Sequence, residues 1–366
     1  MMAARAVSIL TPTYNRAHVL HRGYDSLRRQ KTRDFEWVVV DDGSTDHTPS
    51  LLARWQAEAD FPIAWHRYSS NRGRNAAVNS GTEFVSGDYT LILDSDDALL
   101  DDALETIAYW REHTRIDANP GAYQLVFRCV DETGTLLGRM AQASETPGEA
   151  LRESFREAYY GPNFSGEMIG VMKTSVCREQ RFVELTNSEH CPESVTHNRT
   201  SWRYQSILVD RPIRRYFRND GEARLSDEPS NAVKWPRGNY LRALAALNDD
   251  FDYCRNKPMV FLNAARKVTR LGLHIGRSPR RQLRDLRHAR ARLLWAMAVP
   301  GGLAGYARDR LRGRSAPVAD PDMGAWGPAA APENPVFNPP PRRFARPMPP
   351  SRAIVPSPPQ PCRDRA

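Results

Sequence analysis

The sequence predicts an α/β protein: a mostly parallel sheet flanked by helices, then C-terminal helices, then a disordered Pro-rich tail. Three observations predict this. Four apolar strand patterns alternate with four helical patterns between residues 6 and 114, the order that parallel βαβ units produce. Three of those strands run into polar loops (Thr11–Arg16, Asp41–Ser44 and Asp94–Asp97), which parallel strands gather at one edge of a sheet. From Trp235 the periodicity turns helical, and 15 of the last 54 residues are Pro, a composition that favours extended, unpacked chain.

Each element has a local reason. Residues 6–11 form an apolar first strand, and Val19, Leu20, Tyr24 and Leu27 give residues 17–30 a helical spacing. Phe35 to Val40 is a second strand, and Asp46 is placed to cap a helix reaching Glu58. A third strand covers 63–68, a helix 71–84, and a fourth strand 88–93. Further on, the pattern predicts helices over 101–114 and 149–158, strands over 122–129, 168–173, 206–210 and 213–217, and a turn at Asn219-Asp220-Gly221. A helix begins near Cys191-Pro192-Glu193 and carries Trp202. Residues 260–275 show an apolar stripe (Phe261, Ala264, Val268, Leu271, Ile275) with Arg and Lys opposite, and residues 280–297 continue with weaker spacing.

Charge is unevenly spread. The chain carries a formal +9 over 366 residues, yet residues 264–314 alone hold 14 Arg or Lys against two acids. The body before them is mildly acidic. Such a one-sign helical segment fits either an ordinary amphipathic element packed on the body or an anionic membrane surface. A nucleic-acid role is the alternative, but Trp295 is its clearest aromatic, no binding motif accompanies it, and no nucleic-acid partner is expected. Five widely spaced Cys, with no CxxC pair, argue against a disulfide framework or a zinc site and fit a reducing cytoplasm. The N-terminus enters a strand directly, and the longest weakly polar run, Leu293 to Ala307, holds Pro300, Gly301 and Gly302. A signal peptide and a membrane span are therefore not expected.

The chemistry centres on Leu91-Ile92-Leu93-Asp94-Ser95-Asp96-Asp97. A buried strand ending in three carboxylates is costly through repulsion and desolvation, and a divalent cation offsets that cost. Mg²⁺ and Mn²⁺ prefer carboxylate oxygens and commonly bridge them to substrate phosphates. A turn-forming loop that caps the next helix is the plainer alternative. Tyr14 is suited to stack on a base, Asp42 to accept a hydrogen bond from base or ribose, and Arg72 and Gly73, at a helix start, to approach phosphate.

Four blocks in order resemble the family 2 glycosyltransferases: Val7-Ser-Ile-Leu-Thr-Pro-Thr-Tyr-Asn-Arg16, Val38-Val-Val-Asp-Asp-Gly-Ser-Thr-Asp46, Asn71-Arg-Gly-Arg-Asn-Ala-Ala-Val-Asn79 and Leu93-Asp-Ser-Asp-Asp97. The resemblance covers about residues 6–110. It implies a GT-A fold (Rossmann-like), inversion of anomeric configuration, a nucleotide-sugar donor (UDP-linked by expectation) and Mg²⁺ or Mn²⁺. It implies a nucleotide site at Pro12, Thr13, Tyr14, Asn15, Arg16, Asp42, Arg72 and Gly73. Asp94, Ser95 and Asp96 would meet the donor diphosphate and sugar, and Asp94, Asp96 and Asp97 the metal. Arg72-Gly-Arg-Asn75 departs from the smaller residues of many members.

The second half resembles the acceptor half of bacterial polysaccharide-type members more loosely. Glu193 then stands where the catalytic base is expected, with Glu189 as a rival. Read as residues, Glu167 is suited to acceptor hydroxyls, and Trp202 either to stacking on an acceptor sugar or to packing in the core. The implied organisation is a catalytic domain over 1–234 (nucleotide-sugar half 1–115, acceptor half 116–234), a basic helical segment over 235–313 and a Pro/Arg-rich tail over 314–366. One carboxylate base suffices for an inverting transfer. The acceptor is expected to be a glycan or lipid-linked, with the enzyme peripheral at the inner face of the plasma membrane. A sugar nucleotidyltransferase is the enzymatic alternative, but Pro12-Thr-Tyr-Asn lacks the Gly-rich, basic character a triphosphate loop needs.

Overall fold

The computed structural model describes residues 6–140, 151–161, 164–218 and 231–314. The first half is β1 (Val7–Thr13), α1 (His21–Arg28), β2 (Phe35–Asp41), α2 (Thr48–Glu58), β3 (Ile63–Arg67), α3 (Arg74–Phe84) and β4 (Tyr89–Ile92). The four strands are parallel, in the order β3-β2-β1-β4. Side chains alternate across this layer. Val7, Ile9, Phe35, Trp37, Val39 and Leu91 share one core, while Leu10, Val38 and Val40 pack with Ala77 and Val78 of α3 on the other face. Burial on both faces is why these strands read as near-continuous apolar runs.

After β4 come β5 (Ala98–Leu99), α4 (Ala103–Thr114), β6 (Ala122–Val130), β7 (Leu136–Leu137), β8 (Arg139–Met140), β9 (Leu151–Glu153), α5 (Phe155–Tyr160), β10 (Phe164–Ser165), β11 (Met168–Lys173), α6 (Thr174–Glu179), α7 (Ser194–Thr200) and β12 (Gln205–Arg215). β11 lies antiparallel between β4 and β6, and β12 runs parallel to β6. One sheet thus carries the nucleotide-type half into the second half without a break. The expected helix over 149–158 starts later. Residues 151–153 pair with β12, and α5 begins after Ser154, whose side chain accepts the Glu157 N–H while Glu157 returns a bond to the Ser154 N–H. The two strands expected over 206–217 are one, with its pairing to β6 shifted around Pro212, which has no N–H to give.

The C-terminal region is α8 (Asn231–Lys234), α9 (Pro236–Asp249), α10 (Pro258–His274), α11 (Pro279–Asp285) and α12 (Ala289–Leu311). α10 packs between α9 and α12, burying the predicted stripe of Phe261, Ala264, Val268, Leu271 and Ile275. Buried carboxylates tie the region together. Asp250, fully buried, meets Arg156 of α5 at 2.5 Å, Asn198 of α7 at 2.6 Å and the Tyr160 hydroxyl at 3.0 Å. The two acids of the basic segment are used the same way: Asp309 pairs with Arg270 and His274, and Asp285 with Arg277 and the Tyr240 hydroxyl. Among the described residues no helix is long and apolar enough to cross a membrane. The turn at 219–221 and the tail expected to be disordered lie outside the described residues.

Candidate active site

The loops after β1, β2 and β4 open onto a cavity of about 990 Å³. Pro12, Thr13, Tyr14, Arg16, Asp42 and Gly73 line one side of it. The second loop divides its two acids. Asp41 is buried in the turn, accepting the Ser44 N–H at 3.0 Å and facing Arg67 at 3.3 Å. Asp42 lines the cavity, and its two oxygens accept the backbone N–H groups of Arg72 (2.7 Å) and Gly73 (2.8 Å). Burial raises the Asp42 pKa, and those two N–H groups oppose the rise. Gly73 sits at φ +96°, where a Cβ would lie 3.2 Å from the Ser188 Cα, so only glycine lets the loop lie there unstrained. Thr13 Oγ1 is buried and has no hydrogen-bond partner among the described residues.

Two predicted nucleotide contacts fall outside the cavity lining. Asn15, in left-handed backbone at φ 53°, accepts the Thr45 N–H at 2.8 Å and gives its own N–H to Ser44 Oγ. It fixes the loop that presents Tyr14. The Arg72 guanidinium lies over the Tyr68 ring at 4.6 Å and faces Glu184, so only its backbone serves this side of the site.

Asp94, Ser95 and Asp96 line the cavity next to this loop, while Asp97 does not. Asp97 turns into the protein, fully buried, with Arg214 at 3.3 Å and the Phe217 N–H at 3.4 Å. Burial pushes its carboxyl up to about 8 against the pull of Arg214. The metal set expected from the sequence is corrected accordingly: Asp94 and Asp96 face the cavity, and Asp97 anchors the loop. No group of three or more His, Cys, Asp or Glu among the described residues can hold a metal by itself. Two carboxylates completed by substrate phosphates and water are the usual protein share of a Mg²⁺ site, and this pair fits that share.

Arg74 joins the two halves of the site. Its Nε and Nη2 donate to Asp94 Oδ1 at 3.0 and 2.6 Å, and its Nη1 donates to Glu193 at the start of α7. Burial works against its charge, but Asp94 and Glu193 outweigh that and raise its pKa. Glu193 lines the cavity with His190 and Glu167. The rival acid is committed elsewhere. Glu189 pairs with Arg237 and accepts the Arg237 N–H at the start of α9. Trp202 is also displaced from its expected place: it is 57% exposed, lies under the Arg156 guanidinium at 4.3 Å, and is not part of the lining. The chain turns out of α7 before it, so its ring packs on the Asp250 cluster.

The remaining wall comes from the C-terminal helices. Trp235, Asn239 and Arg242 project from one face of α9, and Lys267 and Arg270 from one face of α10. Sequence patterning found the basic face of α10 but not its orientation toward the cavity.

Residues 8–174 match the profile described as Glycosyl transferase family 2. They form a family 2 glycosyltransferase domain. A GalNAc(5)-diNAcBac-PP-undecaprenol beta-1,3-glucosyltransferase of Campylobacter jejuni is 28% identical over 218 residues, 58% of this chain and 66% of that protein. An abequosyltransferase of Salmonella typhimurium is 35% identical over 100 residues, 27% of this chain and 30% of its own length. The chain therefore spans just under two thirds of the first relative and less than a third of the second. The crystal structure of S. aureus TarS 1-349 in complex with UDP-GlcNAc superposes with a TM-score of 0.54 over 84% of this chain and 92% of that one, at 18% identity. That likeness extends the GT-A fold beyond the matched domain.

Proposed function

We propose that the protein is a metal-dependent inverting glycosyltransferase that moves a sugar from a UDP-linked donor to a glycan or lipid-linked acceptor. The observation that carries the reading is a cavity lined by Thr13, Tyr14 and Asp42, by Asp94 and Asp96, and by Glu193, a carboxylate that Arg74 holds beside Asp94. Thr13 Oγ1, buried without a partner, is a group that a nucleotide would satisfy. Tyr14, 42% exposed, offers a face for the base. UDP-GlcNAc in TarS and the undecaprenol-linked substrate of the Campylobacter relative support the donor and acceptor classes.

Asp94 and Asp96 would hold Mg²⁺ or Mn²⁺, whose charge offsets that of the departing diphosphate. Glu193 takes the proton of the acceptor hydroxyl as that oxygen attacks the anomeric carbon from the face opposite the leaving group. Arg74, bonded to both Asp94 and Glu193, sets the spacing between leaving group and base. With a cation held at Asp94, the Arg74 guanidinium would be free to donate to a diphosphate oxygen. Glu167, half-exposed beside Arg214, serves the acceptor hydroxyls. The test is release of nucleoside diphosphate from UDP-, GDP- and dTDP-sugars with Mn²⁺ present. Release from a UDP-sugar, stopped by EDTA, supports the reading, and release unaffected by EDTA contradicts its metal dependence.

The acceptor is proposed to be met at an anionic membrane, through residues 264–314. α12 buries Ala291, Trp295 and Ala298 against α10, yet its opposite face carries exposed Leu293 (66%), Met297 (71%) and Leu311 (89%). Arg290 and Arg308 border that strip. An apolar strip edged by arginines is the arrangement an in-plane helix uses at anionic headgroups. Co-sedimentation with phosphatidylglycerol vesicles, weak with phosphatidylcholine and lost in Leu293→Glu/Met297→Glu, is the expected result. Equal sedimentation of the double variant would remove this contact from the account.

A further inference from the structure

Asp94 and Glu167 both line the cavity, yet they come from different parts of the chain: Asp94 follows β4 and Glu167 precedes β11. One buried side chain faces both. Arg214, on β12, has a side chain 6% exposed and is not part of the cavity lining. Its Nη1 lies 3.3 Å from Asp97 Oδ2 and 4.0 Å from Asp94 Oδ2. Its Nη2 lies 3.4 Å from Glu167 Oε2 and 3.5 Å from the Met168 carbonyl oxygen. Its Nε donates to Cys129 Sγ of β6 at 3.1 Å. The guanidinium carbon is 5.2 Å from the centre of the Tyr216 ring, which also lines the cavity.

The backbone explains how a charged side chain comes to lie there. Along β12 the pairing with β6 slips: Pro212 lies beside Arg128, yet Arg214 lies beside Cys129. Two steps on β12 thus match one on β6, and Ile213 and Arg214, neighbours in sequence, are both buried. A slip of this kind gives up ladder pairing and re-aims a side chain. The same stretch grips the metal loop. The Leu100 N–H donates to the Ile213 carbonyl at 2.9 Å, and the Phe217 N–H reaches Asp97 Oδ1 at 3.4 Å.

An ion pair with Asp97 alone would neutralise Arg214, and a fixed loop needs no more. The fork is instead split. One terminal nitrogen serves the metal loop and the other serves Glu167, and the planar guanidinium fixes the separation of the two. Asp94 is thereby approached from both sides. Arg74 bonds its Oδ1 and reaches Glu193, while Arg214 faces its Oδ2 and reaches Glu167. Three carboxylates share the charge of Arg214, so a change in one alters its hold on the others.

We propose that Arg214 is a positioning residue that sets Glu167 against Asp94, so that the acceptor side and the metal side of the cavity are coupled through one buried guanidinium. The proposal rests on the reading of Asp94 and Asp96 as the metal pair.

The test is a double-mutant cycle on Mn²⁺ affinity, read by electron paramagnetic resonance on the full chain loaded with UDP. Glu167→Gln removes the carboxylate on the Nη2 side and leaves more of the Arg214 charge on Asp94, so Mn²⁺ is expected to bind about threefold more weakly. Arg214→Lys keeps the charge but replaces the fork with a single point that cannot serve both arms. In that background Glu167→Gln is expected to leave Mn²⁺ affinity unchanged. UDP affinity in EDTA is expected to be the same in wild type and Arg214→Lys, because the partners of Arg214 lie outside the loops after β1 and β2. A parallel loss of UDP and Mn²⁺ affinity makes Arg214 a support of the fold and overturns the proposal. Equal Mn²⁺ affinity in wild type and Glu167→Gln overturns it too. So does the same loss in both backgrounds, which is charge acting through space without the fork. If Arg214→Lys does not fold, Arg214→Gln/Asp97→Asn, which strands no charge at Asp97, takes its place in the cycle. Mn²⁺ that binds Asp96→Asn as tightly as wild type overturns the metal reading itself, whereas Mn²⁺ lost in Asp96→Asn but indifferent to Glu167 overturns only the role of Arg214.

Discussion

Replacing Arg74 with Gln separates the metal site from the base. The guanidinium is 18% exposed and bridges Asp94 and Glu193, which are 37% and 36% exposed. A charge-assisted hydrogen bond is worth about 1.5–3 kcal/mol. Exposure of a third or more on the carboxylate side brings each pair down to about 1 kcal/mol. A cation at Asp94 competes with the Arg74 guanidinium for that carboxylate and is repelled by its charge, so the variant is expected to bind Mn²⁺ about fivefold more tightly in the absence of nucleotide, the equivalent of ~1 kcal/mol. Sugar transfer moves the other way. Glu193 loses the donor that orients it, and kcat is expected to fall roughly tenfold or more. Mn²⁺ titration followed by electron paramagnetic resonance reads the first effect, and a nucleotide-release assay the second. Mn²⁺ affinity that is unchanged or weaker in Arg74→Gln would refute the argument, because Arg74 would then not compete for Asp94.

Other substitutions probe the remaining structure. Asp97→Asn is expected to keep metal-dependent activity within about threefold, because Asp97 turns away from the cavity and the amide matches its shape; loss as complete as that of a cavity-facing acid, in the same nucleotide-release assay, would return Asp97 to the metal set. Asp250→Ala strands the buried Arg156 and removes the acceptor of Asn198 and Tyr160, so chemical denaturation should register a loss of about 3–5 kcal/mol. His197 is held below its ordinary pKa by burial, with Arg74 adding to the effect and Glu193 opposing it. A His depressed in the folded state gives stability that is full above about pH 6.5 and is lost as pH falls toward the folded value, so wild type should lose more stability than His197→Gln between pH 7.5 and 5.5 in urea melts.

Much of the site was legible in the sequence because its parts are local. Strand ends and polar loops can be read from residue order, and parallel strands bring their ends to one edge whatever lies between. Asp42, Asp94, Asp96, Thr13 and Tyr14 reach the cavity for that reason. Adjacent residues of one type were harder to tell apart. Asp41 and Asp97 have the same chemistry as their neighbours and point inward, and only the tertiary partners Arg67 and Arg214, distant in sequence, distinguish them. Glu189 and Glu193 were separated likewise by Arg237 and Arg74. The sequence marked Arg74 as a departure in its block without revealing that it spans the site. Trp202 could be read either as a sugar platform or as a packing residue, because an aromatic at helical spacing carries no sign of the Arg156 face that receives it. The cavity face of α10 could not be read at all: its apolar stripe fixes which side is buried, and what lies over the polar side depends on how α9 packs.

The most direct measurement is nucleoside diphosphate release from a UDP-sugar by the wild type and by Asp96→Asn, each with Mn²⁺ and with EDTA. The account predicts slow release by the wild type that stops with EDTA, and none above background from Asp96→Asn although its melting temperature is unchanged. Release by Asp96→Asn at the wild-type rate, with the same dependence on Mn²⁺, would contradict the assignment of the cation to the cavity-facing pair.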